Sequence, residues 1–127
     1  MPHLTLEYSS NTGAGLDNRR LFDALHVQLA KAGGFRIQDF KSRVFPVNTF
    51  HIGLNNDDAS FVRLNIETFF GKSVQQKQNL SQVALNVLSE HFHNALTHGN
   101  CDIAVQITDL ERESYARMRS SDLKEKT

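Results

Sequence analysis

Leu4, Leu6 and Tyr8 alternate with Thr5 and Glu7, the period-two pattern of a strand with one buried face. Val62, Leu64 and Ile66 repeat the pattern around Arg63 and Asn65, 58 residues later. After the first strand, Leu21, Phe22, Leu25 and Leu29 recur at helical spacing. They predict a helix over residues 17–32 with a single apolar stripe, Asp17 as its N-cap and Gly33-Gly34 as its stop. A second helix is predicted over residues 74–98, with Leu80, Val83, Ala84, Val87, Leu88, Phe92 and Ala95 on one face. Ser73 and Gln76 have the capping-box spacing, and Gly99 follows the last turn. Moving Leu25 and Leu29 on by 58 positions gives Val83 and Val87. Each helix is followed by another alternating segment, Phe45, Val47 and Thr49 in the first half and Ile103, Val105 and Ile107 in the second, again 58 apart.

The chain therefore reads as two β-α-β units in tandem, about residues 2–52 and 60–110, with a tail over 111–127. A helical crossover makes the two strands of each unit parallel and the connection right-handed. The expected fold class is α/β, more narrowly an α+β two-layer sandwich. In it a four-stranded sheet carries both helices on one face, within one domain spanning 1–127. The opposite face is left bare and is expected to expose apolar positions, the usual mark of an association surface. Pro46 lacks an amide donor, so its strand belongs at an edge or carries a bulge. The last eight residues are expected to fray, and Tyr115 and Met118 are candidates to anchor the tail on a neighbour.

Composition narrows the function classes. Lysine plus arginine and aspartate plus glutamate number 14 each, for a formal charge of zero, so no bulk electrostatic attraction to nucleic acid or membrane lipid is expected. No stretch approaches the ~20 apolar residues of a membrane helix, and the N-terminus lacks a signal-peptide pattern. The single cysteine, Cys101, suits a reducing compartment, with cytoplasmic localisation as the simplest reading and core filling as its role. His91, His93 and His98 are spaced two and five apart, which does not bring them to one ion on a helix, so no metal site is expected. Gly13-Ala14-Gly15 lacks the third glycine or lysine of a phosphate loop.

One candidate chemistry lies at the chain's start. Removal of Met1, which a small second residue permits, would leave Pro2 with a free secondary amine. An α-amino group has an intrinsic pKa of about 7.7–8.0, and burial or nearby cations lower it. Such an amine is neutral near pH 7 and suited to general-base work. A Met-Pro start alone decides nothing, but it does not stand alone. The tandem layout, Met1-Pro2-His3, Ser42-Arg43-Val44, Ala59-Ser60-Phe61-Val62 and the turn Gly71-Lys72-Ser73 together resemble the tautomerase superfamily, and within it the 5-carboxymethyl-2-hydroxymuconate isomerases. The resemblance covers most of residues 1–110.

That resemblance implies a cofactor-independent isomerase of aromatic-compound catabolism. The enzyme would move a proton within an unsaturated, carboxylated keto or enol acid, with Pro2 as the base. It implies a homotrimer packed through its sheets. It also implies cations that hold carboxylates at Lys41, Arg43 and Lys72, where the family typically shows arginine at the first and third. Lysine keeps the charge but not the planar two-donor fork. Two other readings stay open: a hydratase or dehalogenase of a small unsaturated acid on the same fold, and a non-catalytic interaction module.

Overall fold

The computed structural model describes residues 1–13 and 17–124. Of Gly13-Ala14-Gly15 only Gly13 is among them, and the last three residues of the tail lie outside. The elements are β1 (His3–Ser9), α1 (Asn18–Gly33), β2 (Lys41–Val47), β3 (Ala59–Phe69), α2 (Val74–His91), α3 (His93–His98), β4 (Asn100–Leu110) and α4 (Ser120–Lys124). Short 3₁₀ turns cover Ser10–Thr12, Ile37–Asp39 and Arg112–Ser114.

The sheet order is β2-β1-β3-β4. β1 runs parallel to β2, β3 runs parallel to β4, and the two central strands are antiparallel. The two β-α-β units thus meet along β1 and β3, where Leu6 lies opposite Leu64 at the midpoint of both strands. Leu6 and Leu64 are equivalent positions of the two units, 58 residues apart. Leu4, Leu6, Val62, Leu64 and Ile66 turn to the helices, as do Leu21, Leu25 and Leu29 of α1 and Leu80, Ala84 and Leu88 of α2 to the sheet, and all are essentially removed from water. Asp17 caps α1 by accepting from the Arg20 N–H at 3.1 Å. Gly34, at φ +69°, ends α1, in a left-handed conformation that glycine adopts without penalty. The Ser73–Gln76 capping box forms in full.

The fold is the expected one, but four details differ. The strand predicted from Phe45, Val47 and Thr49 begins earlier, at Lys41, and ends at Val47. Its helix-side residues are Ser42 and Val44, which lie opposite Leu4 and Leu6, and Phe45 is 53% exposed on the other face. The reason is register. Leu4 pairs with Ser42 but Val62 pairs with Ile103, three positions beyond the 58-residue offset. An odd shift exchanges the two faces of a strand. Pro46 lies on this edge strand, where no neighbour needs its missing donor.

The second helix is not continuous. It breaks at Phe92, whose ring is buried and lies 6.0 Å from that of Tyr8. Beyond it α3 has no buried residue to hold it on the same axis. The bare sheet face is mainly polar rather than apolar. Arg63 donates to Gln106, and Thr108 donates to Asn65 at 2.7 Å. The tail forms α4 where fraying was expected, and Tyr115 packs on its own chain. Cys101 packs partly buried against the core.

His26 joins α1 to β2. Its Nε2 lies 2.6 Å from Ser42 Oγ, and its ring stacks 4.9 Å from Phe40. Burial holds its pKa below the ordinary 6.5, against a smaller opposing pull from Asp23. Above that pH the imidazole is neutral whether the chain is folded or unfolded, and it contributes nothing to the pH dependence. Below it the unfolded chain takes up a proton that the folded one resists, so stability falls with acidification until the folded-state pKa is passed. Urea unfolding midpoints should therefore decline as pH drops below 6.5, and less steeply in His26→Gln. An unaltered slope in that variant would remove His26 as a cause.

Candidate active site

Four segments converge at the end of the sheet where β1 begins. Pro2 precedes β1 and is fully buried. Its carbonyl accepts from the Lys41 N–H at 3.2 Å, so the start of the chain is tied to β2 before the ladder proper begins. At the end of β3, the Phe70 N–H donates to the Leu110 carbonyl at 2.9 Å. Gly71 then turns the chain at φ +130°, a conformation that strains any residue with a side chain. The Ser73 cap starts α2 directly afterwards, which leaves Lys72 held between two anchored elements. Its Nζ sits 4.6 Å over the ring of Phe35, a residue of the α1–β2 connection.

The fourth segment is the tail. In a 3₁₀ turn residues three apart stand on the same side, so Arg112 and Tyr115 both reach Phe69. The Arg112 guanidinium lies 4.0 Å over that ring, and Tyr115 meets it edge-on at 5.2 Å. The result is a cavity of about 710 Å³. Its walls are Met1, Phe35 and Asp39 from the first unit, Thr68, Phe69, Phe70, Gly71, Lys72 and Gln76 from the second, and Arg112, Tyr115 and Arg117 from the tail. Three cationic side chains face one carboxylate, Asp39, so the cavity suits an anion with apolar length to lay against phenylalanine rings. Among the described residues no group of three or more histidine, cysteine or acidic side chains is placed to hold a metal.

The terminal amine of Met1 has a pKa below its ordinary value. Burial is the largest cause, then the positive charge of Lys41, opposed by Asp39, with Arg117 adding a smaller push downward. His3 is also lowered, first by burial, then by Arg43, the terminal amine and Lys41, against Glu67.

The sequence-derived candidates divide into two groups. Lys72 lines the cavity; Pro2 is buried and does not line it, although Met1 before it does. Lys41 and Arg43 lie on β2, where Lys41 pairs with His3 and Arg43 with Thr5, and neither lines the cavity. Lys41 is exposed, while Arg43 is half-buried with its Nη2 at 3.2 Å from His3 Nδ1. Arg112, Tyr115, Arg117, Phe35 and Asp39 were not singled out from sequence as parts of a site. The tail shows charge without periodicity, so no local signal marks them.

The family model for 5-carboxymethyl-2-hydroxymuconate isomerase matches residues 2–125. The 5-carboxymethyl-2-hydroxymuconate Delta-isomerase of Escherichia coli is 27% identical over 110 residues, 87% of either chain. Among solved structures, a 5-carboxymethyl-2-hydroxymuconate isomerase from Deinococcus radiodurans R1 superposes with a TM-score of 0.83 at 19% identity, covering 98% of this chain and 93% of that one. A protein described as a fused 4-OT wild type symmetric trimer superposes at 0.74 with 13% identity, covering 92% of both. The last two establish the fold, and the match along nearly the whole sequence carries the family: the chain belongs to the 5-carboxymethyl-2-hydroxymuconate isomerase family and is a tautomerase-type isomerase.

Proposed function

We propose that the cavity at the start of β1 is the isomerase site, that Pro2 is its general base once Met1 is removed, and that the substrate is 5-carboxymethyl-2-hydroxymuconate or a close relative. The observation that carries this reading is the position of the chain's first amine. It lies in the wall of the cavity, partly buried and beside Lys41, with a depressed pKa. Loss of Met1 passes the terminal position to Pro2, which is buried and whose carbonyl accepts from the Lys41 N–H. Desolvation and neighbouring cations both disfavour the protonated amine, which leaves a lone pair free at neutral pH.

The reaction needs no redox partner. The proline nitrogen takes a proton from the dienol or an α-carbon, and the conjugated electrons shift toward the oxygen or the next carbon. The ammonium then returns the proton at another carbon of the chain. Negative charge develops on the substrate oxygen during the transfer, and cations or donors already in place stabilise it without reorganising. Lys72, Arg112 and Arg117 supply that positive field and hold the carboxylates. The two arginines offer the two-donor geometry that Lys72 lacks. Lys41 acts chiefly on the base, and Arg43 adds positive potential from the β2 side through His3.

The proposal extends to aromatic-compound catabolism in the cytoplasm and to a homotrimer. Among the described residues no helix is long and apolar enough to cross a membrane. Two fused 4-OT proteins of similar fold are described as trimers. Here the exposed Phe45 of edge strand β2 offers an apolar contact for a second copy.

Four outcomes test these assignments. Pro2→Ala should lower turnover of the dienol, followed by its ultraviolet absorbance, by at least about 10²-fold. A chain that retains Met1, identified by intact mass, should be as impaired. Full turnover in either form sinks Pro2 as the base. Lys72→Ala should raise KM by about ten- to a hundredfold, the effect of losing one charged hydrogen bond, and Lys72→Arg should recover most of it. Light scattering should give three chain masses per particle, and a monomer at working concentration would reject the trimer.

A further inference from the structure

We infer that Tyr115 is a catalytic hydrogen-bond donor to the reacting oxygen of the substrate, and that His3 and Arg43 are the positioning residues that turn its hydroxyl hydrogen into the cavity. The inference deepens the proposed isomerase site and rests on that reading.

The donors available fix the direction of each bond in the Arg43–His3–Tyr115 chain. A guanidinium carries only N–H donors and no acceptor. Arg43 Nη2 lies 3.2 Å from His3 Nδ1, so Nδ1 is the bare, accepting nitrogen. A neutral imidazole holds its one hydrogen on the other nitrogen. His3 Nε2 therefore carries the proton, and it lies 3.0 Å from the Tyr115 hydroxyl. The phenol oxygen accepts that bond and keeps its own hydrogen. Among the described residues no acceptor takes that hydrogen, and Tyr115 lines the cavity. The relay thus runs in one direction, from guanidinium to imidazole to phenol to whatever oxygen occupies the cavity.

The charged groups around His3 maintain this state. Burial disfavours its protonation most, followed by the charges of Arg43 and Lys41, while Glu67 opposes them. Tyr115 is fixed by more than this bond: its ring meets Phe69 edge-on at 5.2 Å, and its N–H donates to the Arg112 carbonyl at 3.2 Å. A donor held this firmly reorganises little as charge builds on the substrate, the property that makes such groups effective. The relay also accounts for a half-buried link between Arg43 and the site although Arg43 does not touch the cavity.

The test uses the chain with Met1 removed and 5-carboxymethyl-2-hydroxymuconate as probe. Tyr115→Phe, which deletes only the hydroxyl, should lower kcat at least about tenfold, a modest loss for one oxyanion donor, with KM little changed. In wild-type protein, ¹⁵N NMR of His3 should show Nε2 protonated and Nδ1 bare. Arg43→Leu should lose that single tautomer and lower kcat in the same direction, and Arg43→Lys, still a pure donor, should restore both. In a Tyr115→Phe background, Arg43→Leu should add almost nothing further. Unchanged kcat in Tyr115→Phe, the opposite tautomer, or additive losses in the double variant would each overturn the inference. If Pro2→Ala is inactive while Tyr115→Phe is fully active, the relay fails and the isomerase site stands. If Pro2→Ala keeps full turnover, the site reading itself fails.

Discussion

Pairing of β1 along both of its edges is the constraint on which the site depends. Chain termini ordinarily fray because few contacts hold them. Here the first strand is central, bonded to β2 on one side and β3 on the other, with Leu4 and Leu6 buried beneath the helices. Two ladders and two apolar anchors fix the residues just before His3 as firmly as a loop between two elements. A terminal amine that would otherwise be solvated is instead partly buried beside cations. Its lowered basicity is a consequence of the fold's topology as much as of any single neighbour.

The same topology explains why the cavity forms at that end. Both crossover helices lie on one face, so the α1–β2 connection and the β3–α2 turn arrive at the same corner and bring Phe35 and Lys72 into contact. On the opposite face nothing covers Phe69 until the tail returns. The 3₁₀ turn places Arg112 and Tyr115 against that ring from the far side. The site is thus walled by both halves of the repeat and closed by the segment that belongs to neither. Three cations against one carboxylate give it an anionic preference in a chain whose formal charge is zero; charge has been segregated locally rather than accumulated overall.

Arg43 shows how position changes the meaning of a charge. Counted along the sequence it is one more cation near the site. In the folded chain its guanidinium donates to His3, whose other ring nitrogen meets the Tyr115 hydroxyl. Lys41, two residues earlier, keeps its ammonium exposed and acts on the terminal amine through space. Neighbours on one strand face thus come to differ in role because one is half-buried against a partner and the other is not.

Much of the fold was legible in the chain because its signals are local. The alternation at Leu4–Tyr8 and Val62–Ile66, the Leu21–Leu29 stripe, the Asp17 and Ser73 caps and the 58-residue repeat each involve residues close in sequence or a simple offset, and they determine two β-α-β units. Short motifs likewise marked Lys72, which lines the cavity, and Pro2, which is buried at the start of β1. What remained for the tertiary structure to decide were matters of register and return. The three-residue shift that puts Phe45 outward depends on how a strand docks against β1, and no property of Phe45 itself announces it. The tail's arrival over Phe69, and with it the placing of Arg112, Tyr115 and Arg117, depends on contacts across more than forty positions. Side-chain periodicity encodes which face a segment buries; it does not encode where along a partner that segment comes to rest.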